Sequence, residues 1–147
     1  MQVLKKSDGV VLVEFALLLP ILLLILFGIM SFGLAFNYWI DETHLTREAA
    51  RYAAVDHNPG PQGTLQASIL DQADTPELES GATICVDFPE NADGSGSAGQ
   101  VGDPVRATMA YNHTFIPFLG IGTVTIEAAA TMRLEAPPAD VAEGCTT

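Results

Sequence analysis

The stretch from Gly9 to Phe36 (GVVLVEFALLLPILLLILFGIMSFGLAF) constrains this chain more than any other feature. From Val10 onward it contains a single charged residue, Glu14, and a single proline, Pro20. As a helix it would be roughly 40 Å long at about 1.5 Å per residue, enough to cross a hydrocarbon layer of about 30 Å with some tilt. The sequence therefore predicts a transmembrane helix over residues 10–36, in which Pro20 is tolerated, often as a kink.

The flanks of this segment predict its orientation. Lys5 and Lys6 precede it, whereas acidic residues follow it. Lysines in short loops stay on the cytoplasmic side of a membrane. We therefore expect the N-terminus in the cytoplasm and the chain after about Tyr38 outside, with Tyr38 and Trp39 at the outer membrane–water interface.

Glu14 needs an explanation of its own, because it lies only five residues into the apolar run. An unpaired carboxylate there costs roughly 2.5–3.5 kcal/mol or more. One interpretation is that Glu14 lies close enough to the cytoplasmic face to reach water or to become protonated. The other is that it has a partner. A cut between Gly9 and Val10 would create an α-amino group one helical turn from the carboxylate, within one subunit or between packed subunits.

The segment also resembles a known processing site. A short basic leader, Gly9, an apolar run, and Glu14–Phe15 at the fifth and sixth positions after the glycine resemble the processing site of type IV prepilins. The string VEFALLLPILLLILFG (13–28), followed by REAARYAAV (47–55), is similar to the TadE-like family of minor pilin-like components of tight-adherence pilus and secretion machinery. The resemblance is dense over roughly the first 55 residues and thin afterwards.

This resemblance implies a role and a set of partners. A prepilin peptidase would cleave after Gly9, guided by Glu14 and Phe15, although the family has Glu-Tyr where this chain has Glu-Phe. Other pilin-like subunits, inner-membrane assembly proteins and the membrane itself would be the partners. The protein would lie in a bacterial inner membrane with a single pass and its C-terminal domain outside, in a pilus or at its base.

The rest of the chain is expected to form a small domain outside the membrane. We predict a leader over 1–9, the span over 10–36, an amphipathic extension of the same helix over 37–56, an α+β exodomain over 57–135 and an irregular tail over 136–147. The extension carries an apolar stripe at Leu45, Ala49, Tyr52 and Ala53. Prolines and glycine in HNPGP (57–61) would end the helix.

Alternation of apolar and polar residues predicts three strands in the exodomain, over 82–88, 104–115 and 123–134. A short helix is expected over 64–72, followed by an acidic loop over 74–80 and a glycine-rich connection over 90–102. The fold class is therefore α+β: a long N-terminal helix packed on a small three-stranded antiparallel sheet.

Cys85 and Cys145 are the two cysteines of the chain. Because the domain is expected outside the cytoplasm, a disulfide bond between them fits the compartment. Two free thiols remain an alternative, and a redox pair is disfavoured because the spacing is not C-x-x-C.

We find no sequence pattern for a catalytic residue, a metal site or a cofactor. The three histidines are far apart, and the net charge of −12 disfavours nucleic acid and adhesion to anionic lipid. Three hypotheses remain: a processed minor pilin or pseudopilin, an uncleaved single-span accessory protein of the same machinery, and an anchored enzyme or binding domain. We expect the first, and we do not expect an enzyme.

Overall fold

The dominant element is a single helix, α1 (Lys6–Ala54), which joins the predicted span and its predicted extension without a break. The computed structural model describes residues 6–61, 63–89, 99–115 and 122–147. The first five residues of the predicted leader, most of the predicted glycine-rich connection and residues 116–121 lie outside this part of the chain. Pro20 lies inside α1, where it has no N–H to donate to the preceding turn.

The two halves of α1 have opposite surroundings. The predicted span is largely exposed along its length. Beyond it, one face of the helix is buried against the rest of the chain. The buried residues are Tyr38, Asp41, Glu42, Leu45, Thr46, Ala49, Ala50, Ala53 and Ala54. Their spacings of three and four residues are those of one helical face, and the alanines allow close approach of the helix to the sheet.

Two short helices follow. In α2 (Leu65–Leu70), the Thr64 hydroxyl accepts a hydrogen bond from the Ala67 N–H at 3.2 Å, as expected for an N-cap. α3 (Pro76–Gly81) occupies most of the segment predicted as an acidic loop, so that prediction is wrong. Proline at the first helical position and acidic residues in the first turn both favour a helix start.

Four strands form one antiparallel sheet in the described part of the chain, not the predicted three. They are β1 (Thr83–Asp87), β2 (Pro104–Thr114), β3 (Thr123–Arg133) and β4 (Gly144–Thr146), in the order β3-β2-β1-β4. β4 lies in the tail that was predicted to be irregular. Three residues are too few to show an alternating apolar and polar pattern, so the sequence alone does not predict this strand. β4 is a strand because it pairs with β1.

The sheet packs on α1 with one face only. Val105, Ala107 and Met109 of β2 point toward the helix and are buried. The residues between them lie on the opposite face, which we call the outer face of the sheet. Helix and sheet thus make a two-layer domain whose core lies between α1, α2 and the inner face of the sheet.

Candidate assembly interface

The N-terminal half of α1 is a long apolar surface that nothing else in the described chain covers. Its large side chains from Val10 to Phe36 are exposed by between 37% and 70%. Among the described residues, α1 is the one helix that is long and apolar enough to cross a membrane. Exposure on this scale is unfavourable in water, and it suggests that the helix serves as a membrane anchor.

The predicted processing residues lie at the start of this surface. Gly9 and Val10 are inside α1, and Glu14 lies one turn further along the same helix, exposed. Phe15 is 59% exposed. The structure thus brings Val10 and Glu14 to the same side of the helix.

Three glycines of α1 are not required by packing within the chain. Apart from the adjacent residues and the backbone of the helix itself, no atom of the described chain lies within 4 Å of a Cβ built on Gly9, Gly28 or Gly33. Gly28 and Gly33 lie in the outer half of the predicted span, where small residues let two helices approach closely. Within the described chain, no packing contact requires a residue as small as glycine at either position.

Tyr38 lies in the exodomain core, so its predicted place at the outer interface is wrong. Its side chain is 7% exposed, and its ring contacts those of Tyr111 and His113 at centroid distances of 5.2 and 5.3 Å. Trp39, the next residue, points away from the core and is 47% exposed. One residue therefore joins helix to sheet and the other remains available to a membrane surface.

Glu42 is a buried acid that the sequence analysis did not single out. It is fully buried, and neither carboxyl oxygen has a hydrogen-bond partner. Desolvation, with smaller contributions from the charges of Asp41 and Glu127, raises the pKa of Glu42 to about 8. The carboxyl is therefore largely protonated at neutral pH. Its spacing from Tyr38 and Leu45, four and three residues, was the available signal that it lies on the buried face.

Asp41 links α1 to the loop after α2. Its Oδ2 accepts a hydrogen bond from the Asp74 N–H at 3.2 Å. Desolvation is the largest effect on Asp41 and raises its pKa, despite that hydrogen bond.

Asp56 fastens the C-terminal tail to the end of α1. Its carboxylate accepts backbone N–H groups from Ala139, Asp140 and Val141 at 2.8–3.1 Å. Burial alone would raise the pKa of Asp56, but these three donors outweigh it and the pKa is lowered. Asp56 has a φ of 51°, a conformation that aspartate adopts more readily than most residues. Contacts between residues this far apart in sequence leave no local pattern.

The structure brings the two cysteines together. Cys85 of β1 and Cys145 of β4 lie directly opposite each other and form a disulfide bond. Gln66 of α2 supports the same edge, because its side-chain amide donates to the carbonyl oxygens of Ala142 and Gly144. In the described part of the chain, no group of three or more His, Cys, Asp or Glu residues could hold a metal ion.

These features define a class: a small α+β domain carried on one long apolar helix that suggests a membrane anchor. The model of the TadE-like protein family matches residues 9–51. The match covers the predicted processing-site residues, the predicted span and the REAAR motif, so the resemblance inferred from the sequence is confirmed over this segment. No curated protein and no solved structure matches the chain.

Proposed function

We propose that this protein is a minor pilin or pseudopilin of a tight-adherence pilus or a related secretion machinery, with a structural and not an enzymatic role. α1 anchors it in a bacterial inner membrane with the N-terminus in the cytoplasm. A prepilin peptidase cleaves after Gly9, and the exodomain projects on the other side. The apolar surface of α1 then packs with other pilin-like subunits and inner-membrane assembly proteins.

The observation that carries this proposal is the division of α1 into two halves within one family match. One face of its C-terminal half is buried by its own exodomain, whereas its N-terminal half is exposed on all sides. Since lipid tails are about as apolar as leucine, transfer from lipid to a helix bundle gains little from hydrophobicity alone. Close packing and polar pairing must therefore select the partner, and Glu14 is the single ionisable side chain in the span that offers such a pair.

One observation favours a second candidate, an uncleaved accessory protein. The bond between Gly9 and Val10 lies inside α1, which begins at Lys6. A peptidase must unwind that turn before cutting it. A protein that keeps its leader would use the same helix to bind partners without processing.

N-terminal sequencing of the protein from cells with an active prepilin peptidase tests cleavage. We expect the mature chain to start at Val10. A chain that keeps Met1 in those cells would leave the accessory protein as the better description.

Replacing Glu14 by Ala tests the assembly role. We expect Glu14→Ala to insert in the membrane but to lose cross-linking to other pilin-like subunits, because the polar pair is gone. Glu79→Ala is a matched control, since Glu79 is an exposed acid on α3. Equal cross-linking of both variants would remove Glu14 from the assembly interface.

A further inference from the structure

The strand β3 lies at an edge of the sheet and is the feature that the proposed function leaves unexplained. It is 11 residues long and, in the described part of the chain, pairs with β2 alone. An edge strand presents unpaired N–H and C=O groups that can pair with another chain. The opposite edge is β4, which has three residues and is held by the disulfide bond and by Gln66. One edge of the sheet is short and fastened, and the other is long and open.

The register fixes which backbone groups of β3 are free. Just beyond the two ends of the β2–β3 ladder, the Phe115 N–H donates to the backbone carbonyl oxygen of Gly122 at 2.9 Å, and the Leu134 N–H donates to that of Asp103 at 2.8 Å. Hydrogen-bonded pairs alternate along an antiparallel ladder. The even-numbered residues of β3 therefore bond to β2, and the odd-numbered ones direct their N–H and C=O outward. The latter are Thr123, Thr125, Glu127, Ala129, Thr131 and Arg133, and all six are exposed.

In the described part of the chain, α1 packs against one face of β3, but several of the devices that usually protect an edge are missing. Such edges are shortened, bulged, or marked by proline or lysine. β3 pairs with β2 through 11 consecutive residues without a bulge, and it contains neither proline nor lysine. Its charged residues are Glu127 near the middle and Arg133 at the end.

The side chains of β3 indicate what kind of strand fits beside it. Val124 points toward the α1 side and is 48% exposed, and Ile126 and Met132 on the same side are only partly buried. A strand added to this edge would cover them with apolar residues at alternate positions. On the outer face, its other positions would lie beside threonines and alanine, and a basic residue would suit the position beside Glu127.

The direction of β3 restricts the source of that strand. β3 starts level with His113, which contacts Tyr38 near the span, and ends close to Ala54, whose carbonyl accepts from Glu135 N–H at 2.7 Å. It therefore runs away from the membrane. Antiparallel pairing of β3 with β3 of a second copy would require the two anchors to be inserted in opposite directions. β4 of a second copy has the required direction but only three residues.

We propose that the free edge of β3 is a second assembly surface, which accepts an extended strand from a different subunit by antiparallel β-sheet addition. That strand runs toward the membrane, with apolar residues facing α1 and small or polar residues on the outer face. The inference rests on the proposed role as an assembly subunit, and it adds the exodomain to the part played by α1.

Amide hydrogen exchange read residue by residue tests this directly. The full-length protein is measured in two preparations: as a purified monomer in detergent, and in membranes of cells that contain the assembled machinery. We expect the amides of Thr125, Glu127, Ala129 and Thr131 to exchange at least about tenfold more slowly in the membranes. Those of Ile126, Ala128 and Ala130, which bond to β2, should be slow in both and serve as the internal control. Equal exchange of the outward amides in both preparations would overturn the proposal.

A variant separates the edge from the rest of the chain. Ala129→Pro removes an outward N–H without removing a bond to β2, whereas Ala129→Thr keeps that N–H and matches its neighbours. We expect Ala129→Pro, but not Ala129→Thr, to lose the slow exchange of Glu127 and Thr131. If Ala129→Pro does not fold, the alternating pattern in the unchanged protein still decides the question.

Other outcomes identify a different cause. If the outward amides of β3 exchange more slowly as the concentration of the purified protein rises, a second copy of this chain binds the edge. That result would overturn the assignment to a different subunit. Cross-linking through α1 is measured separately. If Glu14→Ala leaves that cross-linking intact, the proposed function fails. If cross-linking depends on Glu14 but the outward amides stay unprotected, the β3 inference alone fails.

Discussion

Glu42 makes the stability of the exodomain depend on pH. Its pKa is near 4.5 in an unfolded chain and about 8 in the folded protein, so the folded state holds the proton more tightly. Stability is therefore greatest below about pH 4.5 as far as this group is concerned, and is lost as the pH rises toward 8. Each unit of pKa difference corresponds to about 1.4 kcal/mol.

Glu42→Gln should remove most of this dependence, because glutamine keeps the shape without the charge. We expect the thermal midpoint of the wild-type protein in detergent to fall between pH 5 and pH 8, and that of Glu42→Gln to fall much less. At pH 8 the variant should be the more stable protein by several degrees. Glu79→Gln, on the exposed side of α3, should behave as the wild type. Parallel curves for Glu42→Gln and the wild type would mean that the carboxyl reaches water.

The contribution of Asp56 to stability is expected to change with pH in the opposite direction from that of Glu42. Since its folded pKa is lowered, its stabilisation of the tail is present above about pH 3.8 and is lost as the pH falls further. Asp56→Ala removes the acceptors and places alanine at a positive φ, at a cost of about 1–3 kcal/mol. Asp56→Asn keeps an acceptor and tolerates the conformation, so it should cost less. Thermal midpoints at pH 7 measure both, and equal losses would contradict this account.

At the scale of elements, we expect the disulfide bond to hold β4 in the sheet. It closes a loop between residues 60 apart in sequence, which is worth about 4 kcal/mol in the chain-entropy model. In the Cys85→Ser/Cys145→Ser variant, we expect β4 to leave the sheet while β1, β2 and β3 remain paired. A glutamate-specific protease should then cut at Glu143 faster than in the wild type. Unchanged cleavage would show that pairing and Gln66 hold the strand without the bond.

The glycines of α1 supply a prediction about helix packing. Because a Cβ on Gly28 or Gly33 meets no atom of the described chain, Gly28→Leu and Gly33→Leu should leave the folded exodomain unchanged. Both should weaken cross-linking to other subunits, since leucine prevents close helix approach. Leu34→Ile, which keeps the size of an exposed residue, is the control. Equal cross-linking in all three variants would indicate that these glycines face lipid.

The elements differ in how far the sequence predicts them. The span part of α1 follows from the length of its apolar run, and its extension and the strands β1, β2 and β3 follow from local periodicity. The N-terminal resemblance is confirmed over residues 9–51. β4 and the contact of Asp56 with the tail depend on residues that meet only in the folded chain. α3 differs from the predicted acidic loop for another reason: its acidic residues suit a loop and the first turn of a helix alike, and its proline at the helix start favours the helix. Tyr38 lies in the core, which the sequence does not predict because an aromatic residue after a span suits a membrane interface and a protein core equally well.

For the whole molecule, charge and anchor together predict one topology. All but two of the 18 acidic residues, and all but two of the six basic ones, lie beyond Phe36. We therefore expect the two N-terminal lysines to carry the positive charge that keeps the short leader in the cytoplasm. Lys5→Glu/Lys6→Glu should therefore give a mixture of orientations. Protease added to spheroplasts should digest the exodomain of the wild type completely and leave part of the variant intact.

Arg47→Glu is the matched control for that experiment, because it reverses a basic residue on the other side of the span. Arg47 is exposed on α1 and lies within the exodomain half of the helix. Arg47→Glu makes the chain after the span more acidic, which favours the expected orientation. Digestion of the exodomain should therefore remain complete in this variant. Complete protection of the wild-type exodomain would place it in the cytoplasm. Neither strand addition at β3 nor display of an acidic domain outside the membrane could then take place as proposed, because both require the chain after the span to lie outside.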